Sequence, residues 1–247
     1  MLVAGFDTET TGLDVEKDHI IQLGAVLWDT KATTKKAKIK LDVLIHDDSI
    51  PELTEEVTGI HGITNNDLVK YGVTFKVAFD LLHDIFKRAE LIVAHNGTLF
   101  DKPIYVANCL RQGITPVTEG KQPTLWADTY CDIEYPTHIQ TRKLTHLAAE
   151  HGFINPFPHD ALCDVMTMLK LADLYSWDEI VRYALAPTLI VKAEVTFSQK
   201  DLAKKQGFKW NADTKLWLKS IKEFQFFEAK RAAADVGFKL SVQKGAK

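Results

Sequence analysis

Asp7 and Glu9 stand one residue apart in FDTETTGL. If the apolar run Leu2–Phe6 is a strand ending at Asp7, this spacing turns both carboxylates to one side at its carboxyl end, where open α/β sheets bind their ligands. Two acids before a Thr-Gly turn need no function, so chemistry requires more of them. Asp101, in AHNGTLFDKP, follows a second apolar run and opens a helix in which Pro103 is tolerated only in the first turn. It can serve as a helix-dipole partner, but it also lies at a strand's carboxyl end. Asp164, in HDALCDV, sits one turn into a later helix, and His159 precedes it by five residues, after a loop holding Pro156 and Pro158. Four carboxylates in one cleft would repel each other and a phosphodiester alike unless cations sat among them. Oxygen ligands suit hard ions such as Mg²⁺ or Mn²⁺, and two ions about 4 Å apart stabilise the attacking and leaving oxygens of a phosphoryl displacement. His159, at the rim, is placed to take a proton from an attacking water.

These residues need elements to hold them. Leu2–Phe6, Ile20–Trp28 and Ala37–Ile45 read as three consecutive antiparallel strands, with a hairpin around Lys31–Lys36. Short helical signals follow around GIHGIT, and apolar residues at helical spacing predict a helix over Thr74–Arg88. The pattern then changes to strand (Leu91–Ala94), helix from Asp101, strand (Leu125–Ala127), and helices over Leu144–Glu150 and Asp160–Tyr175. Three antiparallel strands followed by crossover-connected ones imply an α/β domain with a mixed sheet flanked by helices.

The remainder differs. Residues 1–180 are assigned to this domain and 188–247 to a small α+β module, with the boundary between 177 and 190. The module is expected to hold a strand (Leu189–Phe197), a helix opening at Ser198–Asp201, a hairpin turning at Asn211–Thr214, a helix opening at Ser220–Glu223 and a strand (Phe238–Val242). No internal repeat of useful length is apparent.

Charge divides along the same line. The chain of 247 residues carries a net charge of −3, but residues 1–191 hold 17 Lys+Arg against 27 Asp+Glu, and residues 192–247 hold 13 against 6. A basic module suggests a polyanionic partner. Lys200, Lys204, Lys205, Lys209, Lys215 and Lys219 interleave with Phe208, Trp210 and Trp217, which can supply phosphate contacts and stacking faces; the two tryptophans can equally form the core of a tiny hairpin domain. A hydrophobic content of 46% and a charged content of 26% exclude the disordered and collagenous classes. No run of 18 apolar residues occurs, and Asp7 and Glu9 interrupt the place a signal peptide would need, so neither membrane spanning nor secretion is expected. Three cysteines, Cys109, Cys131 and Cys163, without a CxxC pair fit a reduced, cytoplasmic protein lacking structural zinc.

In order and spacing, FDTETTGL, HNGTLFD and HDALCDV resemble the three motifs of the DEDDh family, the DnaQ-like 3′-to-5′ exonucleases of the ribonuclease H-like superfamily, over residues 1–175. The resemblance implies a five-stranded ribonuclease H-like sheet, two Mg²⁺ or Mn²⁺ ions held by Asp7, Glu9, Asp101 and Asp164, and His159 as general base. The family variant with tyrosine at that position is excluded, because only His159 fits it. The resemblance also implies contacts to the 3′-terminal nucleotide by Thr10, Thr11, Gly12, Leu13, His61 and Asn96, with His61 alternatively packing under its own loop. A small carboxyl-terminal module is similar in placement to that of exonuclease X-like relatives. The expectation is a 3′-to-5′ exodeoxyribonuclease releasing nucleoside 5′-monophosphates, with DNA preferred. An RNA-trimming exonuclease or oligoribonuclease, and a proofreading subunit with a polymerase or replication-repair partner, remain open; a binding protein with a dead site is disfavoured because all five catalytic positions are filled.

Overall fold

A computed structural model describes residues 1–117, 125–139 and 141–243, and the chain divides into two compact units, Met1–Ala184 and Leu185–Lys247. The first unit is built on strands β1 (Leu2–Thr10), β2 (Ile20–Asp29), β3 (Ala37–Leu44), β4 (Leu91–Ala94) and β5 (Leu125–Asp128), in the order β3-β2-β1-β4-β5. The β1–β2 and β2–β3 pairs are antiparallel, and β1–β4 and β4–β5 are parallel. Among the described residues, helices α1 (Glu55–His61), α2 (Asn65–Tyr71), α3 (Phe75–Arg88), α4 (Asp101–Arg111), α5 (Leu144–Glu150), α6 (Ala161–Ala172) and α7 (Trp177–Leu185) accompany the sheet, the last ending one residue past the unit's boundary.

Strand alternation sends the core to both faces. Ala4 and Phe6 of β1 meet Phe75, Phe79, Leu82 and Phe86 of α3 and Ile104 and Tyr105 of α4, with the Phe6 and Phe86 rings edge to face at 5.3 Å. Val3 of β1 meets Val165, Met168 and Leu169 of α6, Leu147 of α5 and Ile180 of α7. Two glycines let α6 lie close on the sheet. A Cβ on Gly5 would stand 2.7 Å from Leu169 Cδ1, and one on Gly24 would stand 2.3 Å from the backbone carbon of Ala161.

β1 is longer than its apolar run. It continues past Asp7 to Thr10, because Asp7 pairs with Gly24 and Glu9 with Gln22 across the antiparallel ladder, and side-chain polarity does not interrupt backbone hydrogen bonding. Against β4, by contrast, β1 pairs only over Val3–Gly5. Its last residues therefore project beyond the end of β4 at the carboxyl side of the sheet.

The second unit comprises β6 (Thr188–Glu194), α8 (Lys200–Lys205), β7 (Lys209–Asn211), β8 (Leu216–Lys222), α9 (Phe226–Asp235) and β9 (Lys239–Val242). All pairs are antiparallel in the order β7-β8-β6-β9, the split βαβ arrangement of two interlocked halves. The halves show a repeat hidden at sequence level: Ala203, Gly207, Phe208 and Lys209 correspond to Ala233, Gly237, Phe238 and Lys239, and the two phenylalanine rings meet at 5.9 Å in the core. Short length and substitution of most other positions conceal it. Neither expected helix start lies where the sequence suggests. A 3-10 turn over Phe197–Gln199 moves the first cap back to Thr196, whose amide donates to Gln199 Oε1 at 3.0 Å. Ser220 lies inside β8, which continues because Ile221 fills the core.

Candidate active site

Strand parity carries Asp7 and Glu9 onto the α6 face, continuing the line of Val3 and Gly5, and Thr8 onto the other face. The Thr8 hydroxyl donates to Asp101 Oδ1 at 2.8 Å, joining β1 to the first residue of α4. The tight turn between Ala94 and Asp101 is held by Asp128, at the end of β5, whose carboxylate accepts from the amides of Asn96 (2.7 Å), Thr98 (3.0 Å) and Tyr130 (2.9 Å). On the opposite side, α6 begins at its cap Asp160, which accepts from the Cys163 amide at 2.8 Å. Gln22 accepts from the Ala161 amide at 3.2 Å and donates to Asp42 at 2.9 Å, so β2 grips the start of the helix that carries Asp164.

Glu9, His159 and Asp164 each bring one potential ligand atom within 4.8 Å of one another. Asp7 lies among Asp101, Asp164 and Glu9, close enough that each raises its pKa. Burial is the larger cause, and together they hold the Asp7 carboxyl well above the usual range. Burial first, then Asp164 and Asp101, push Glu9 up to about 8. Asp101, only 4% exposed, is pushed to about 7 by burial against the opposing Thr8 hydrogen bond. Asp164 is also raised by burial, although Asn155 Nδ2 and the His159 amide donate to it. Without counter-charge the four acids resist ionising together. Crowded carboxylates with one imidazole at their edge are a donor set suited to hard divalent cations.

The exposed His159 adopts a left-handed backbone (φ 64°), a conformation uncommon outside glycine. Its amide reaches Asp164 from there at 3.2 Å.

The other sequence candidates divide. Thr10 is buried and donates to the Gly12 carbonyl at 2.7 Å, and Thr11 donates to Asp18 at 2.8 Å; both hydroxyls brace the turn. A Cβ on Gly12 would meet Asp18 at 2.6 Å. Leu13 is 83% exposed. His61, last residue of α1, accepts from the Ile63 amide at Nδ1 (3.0 Å), so its hydrogen resides on Nε2, which is buried with no partner among the described residues. Burial and then the nearby His159 lower its pKa. His61, Asp42, Gln22, Ile63, Asp67 and Tyr71 line a groove of about 410 Å³. Asn96, with φ 62°, contributes its amide to Asp128. Sequence reasoning missed Thr8, Gln22, Asp128, Asn155 and Asp160. Of these, Asp128 carried a readable signal, an acid at the carboxyl end of a buried strand, and Asp160 another, a preferred cap residue at the expected helix start.

Sheet order and acid placement define a ribonuclease H-like domain. A family model described as an exonuclease matches residues 4–172. The chain belongs to that exonuclease family, whose model falls within its first unit. A second model, described as a domain of unknown function, matches residues 189–239. Among curated relatives, a PolC-type DNA polymerase III of Pediococcus pentosaceus is 28% identical over 73% of this chain and 12% of its own length. The DNA polymerase III subunit epsilon of Treponema pallidum is 35% identical over 37% of this chain and 39% of its own. This chain thus spans well under half the length of either relative. Among solved structures, an exonuclease I superposes with a TM-score of 0.69 at 15% identity, covering 96% of this chain and 67% of the other. The nuclease domain of 3′hExo, a DEDDh member bound to rAMP, gives 0.56 at 18% identity, covering 73% and 94%. At such identities these two likenesses concern the fold.

Proposed function

We propose that the protein is a metal-dependent 3′-to-5′ exodeoxyribonuclease that releases nucleoside 5′-monophosphates. The observation that carries the reading is the crowding of Asp7, Glu9, Asp101 and Asp164 where β1 extends beyond β4, with His159 at the edge of the group. Asp7, Glu9, Asp101 and Asp164 would hold two Mg²⁺ or Mn²⁺ ions; when bound, such ions neutralise the acids, polarise the scissile phosphate and stabilise the departing 3′ oxygen. His159 accepts the proton of the water that attacks the phosphorus in line. Leu13 offers an exposed apolar surface to the terminal base, and His61 contributes to the groove that would receive part of the terminal nucleotide. The Thr10–Gly12 turn and Asn96 act through backbone they hold in place.

DNA as substrate is supported by the relatives named as DNA polymerase III components and by the structural neighbour exonuclease I of E. coli, crystallised with a dA16 oligonucleotide. The neighbour bound to rAMP favours a second reading, an RNA-trimming enzyme. Incubating 5′-labelled DNA and RNA oligomers of matched sequence with Mg²⁺ separates them: stepwise shortening of DNA at a rate at least tenfold above RNA supports the first reading, and the reverse overturns it. The polymerase relatives also favour association with a replicative polymerase, to be checked by co-sedimentation of the full chain with one.

A further inference from the structure

The second unit offers a surface of its own. Its two helices cover one face of the β7-β8-β6-β9 sheet, burying Val191, Ala193, Ile221 and Leu240 against Ala203, Ala233, Phe208 and Phe238. Alternation assigns the neighbours of these residues to the other face. There, the register aligns Lys209 of β7 and Lys192 of β6 on either side of Leu218 of β8, with Ser241 of β9 completing the row, while Lys239 stands opposite Glu194. Glu194 is the acid of that face among the described residues, and its carboxylate accepts from the Ser241 hydroxyl at 2.8 Å. No ion pair among the described residues engages Lys192, Lys209 or Lys239. Neighbouring strands lie about 4.8 Å apart, so Lys192 and Lys209 are about 10 Å apart across Leu218, with half-buried Ile190 beside them.

The interleaved aromatics belong elsewhere. Phe208 is buried, Trp217 packs on the helix-side core, and Lys219 lies over the Phe208 ring while donating to the Gln206 carbonyl at 3.0 Å. The helices mix Lys200, Lys204 and Lys205 with Asp201, and Lys230 and Arg231 with Glu228 and Asp235.

We infer that the open sheet face of the second unit, through Lys192, Lys209 and Lys239, binds the phosphate backbone of single-stranded nucleic acid. Charge complementarity selects the polyanion. Leu218 and Ile190 between the lysines suit exposed bases and sugars, and contacts made to phosphates are sequence-tolerant and salt-sensitive. The inference deepens the exonuclease reading by naming where a strand is held apart from the acids.

The test uses the full chain in chelator, so that binding is measured without turnover, and follows the fluorescence anisotropy of a labelled dT30 across NaCl concentrations. Lys192→Glu/Lys209→Glu/Lys239→Glu is expected to weaken binding more than tenfold at low salt and to flatten the salt slope by about 2, the share of three single-strand phosphate contacts. Lys192→Arg/Lys209→Arg/Lys239→Arg is expected to bind as the parent does, and the helix variant Lys200→Glu/Lys204→Glu/Lys205→Glu to lose less than threefold. If the charge-reversed protein loses its fold by circular dichroism, the Lys→Gln triple variant is measured instead, with a loss of at least fivefold expected. Parent-like affinity and slope in the reversed or Gln triple variant, or an equal loss in the helix variant, overturns the assignment. With Mg²⁺, shortening of a four-nucleotide substrate by the sheet variant should match the parent; a parent that shortens no substrate sinks the exonuclease reading, while the anisotropy still decides the sheet face.

Discussion

Crowding of like charge governs the residue scale. Raised pKa values mean that the metal-free folded chain binds protons the unfolded chain has released. For Glu9, at about 8 when folded, and Asp101, at about 7, the folded state is favoured most at acid pH and is lost progressively as pH rises from the unfolded carboxylate values toward 7–8. The melting temperature of chelated protein is therefore expected to fall between pH 5 and pH 8. Added Mg²⁺ should restore it more at pH 8 than at pH 5, as differential scanning calorimetry can measure; a metal-free melting temperature that rises over this range contradicts the arrangement. By the same logic, Asp7→Asn should abolish detectable turnover and weaken Mg²⁺ binding while leaving the metal-free melting temperature at pH 8 equal or higher. If, as proposed, the acids carry the ions and the imidazole moves the proton, His159→Ala should lower turnover roughly 10²- to 10⁴-fold with Mg²⁺ affinity within a fewfold of the parent by titration calorimetry. A loss under tenfold would demote His159.

At the scale of elements, the site depends on how closely α6 lies on β1 and β2. Gly24 faces the backbone of Ala161 at the first turn of α6, so a methyl there has no flexible side chain to displace. Gly24→Ala is expected to cost about 1–3 kcal/mol in denaturant unfolding and to reduce turnover further than the fraction unfolded explains, since it moves Asp164 and the His159 loop away from Glu9. Gly5→Ala meets the movable ends of Leu169 and Val165 and should cost stability with a smaller loss of turnover. Equal turnover in both variants at full folding would separate helix approach from catalysis. The mismatch between a long β1 and a short β4 is the second determinant: pairing with β4 stops at Gly5 with Val93, and Asp7 and Glu9 occupy the part of β1 beyond it, paired with β2 alone.

For the whole molecule, each unit has its own apolar core, two large clusters on the faces of the first sheet and one beneath the second. No helix among the described residues is long and apolar enough to cross a membrane. A chain ending at Ala184 should therefore fold and shorten short oligonucleotides at the rate of the full chain, yet require a higher concentration of long single strands for half-maximal rate, with the difference shrinking as salt is added. Identical concentration dependence would assign the second unit another role.

Much was legible from residue type and spacing because local rules suffice there. Short apolar runs such as Leu2–Phe6 specify strands, Thr74 specifies the start of α3 by capping the Val77 amide, and an acid after a buried strand marks a sheet's carboxyl end. The order and spacing of three acidic motifs carried the resemblance, and the resemblance carried the expectation that Asp7, Glu9, Asp101 and Asp164 share a site. Tertiary structure alone decided how they are held: the Thr8 hydroxyl on Asp101, the Asp128 clamp on the turn before it and the Gln22 grip on α6 each join residues about 30 to 140 positions apart, and chain-local patterns carry no information about such pairs. The same limit concealed which lysines of the second unit share a face, because strand order β7-β8-β6-β9 is set by packing two interlocked halves into one core, and a lysine's neighbours across strands follow from that order rather than from its neighbours in the chain.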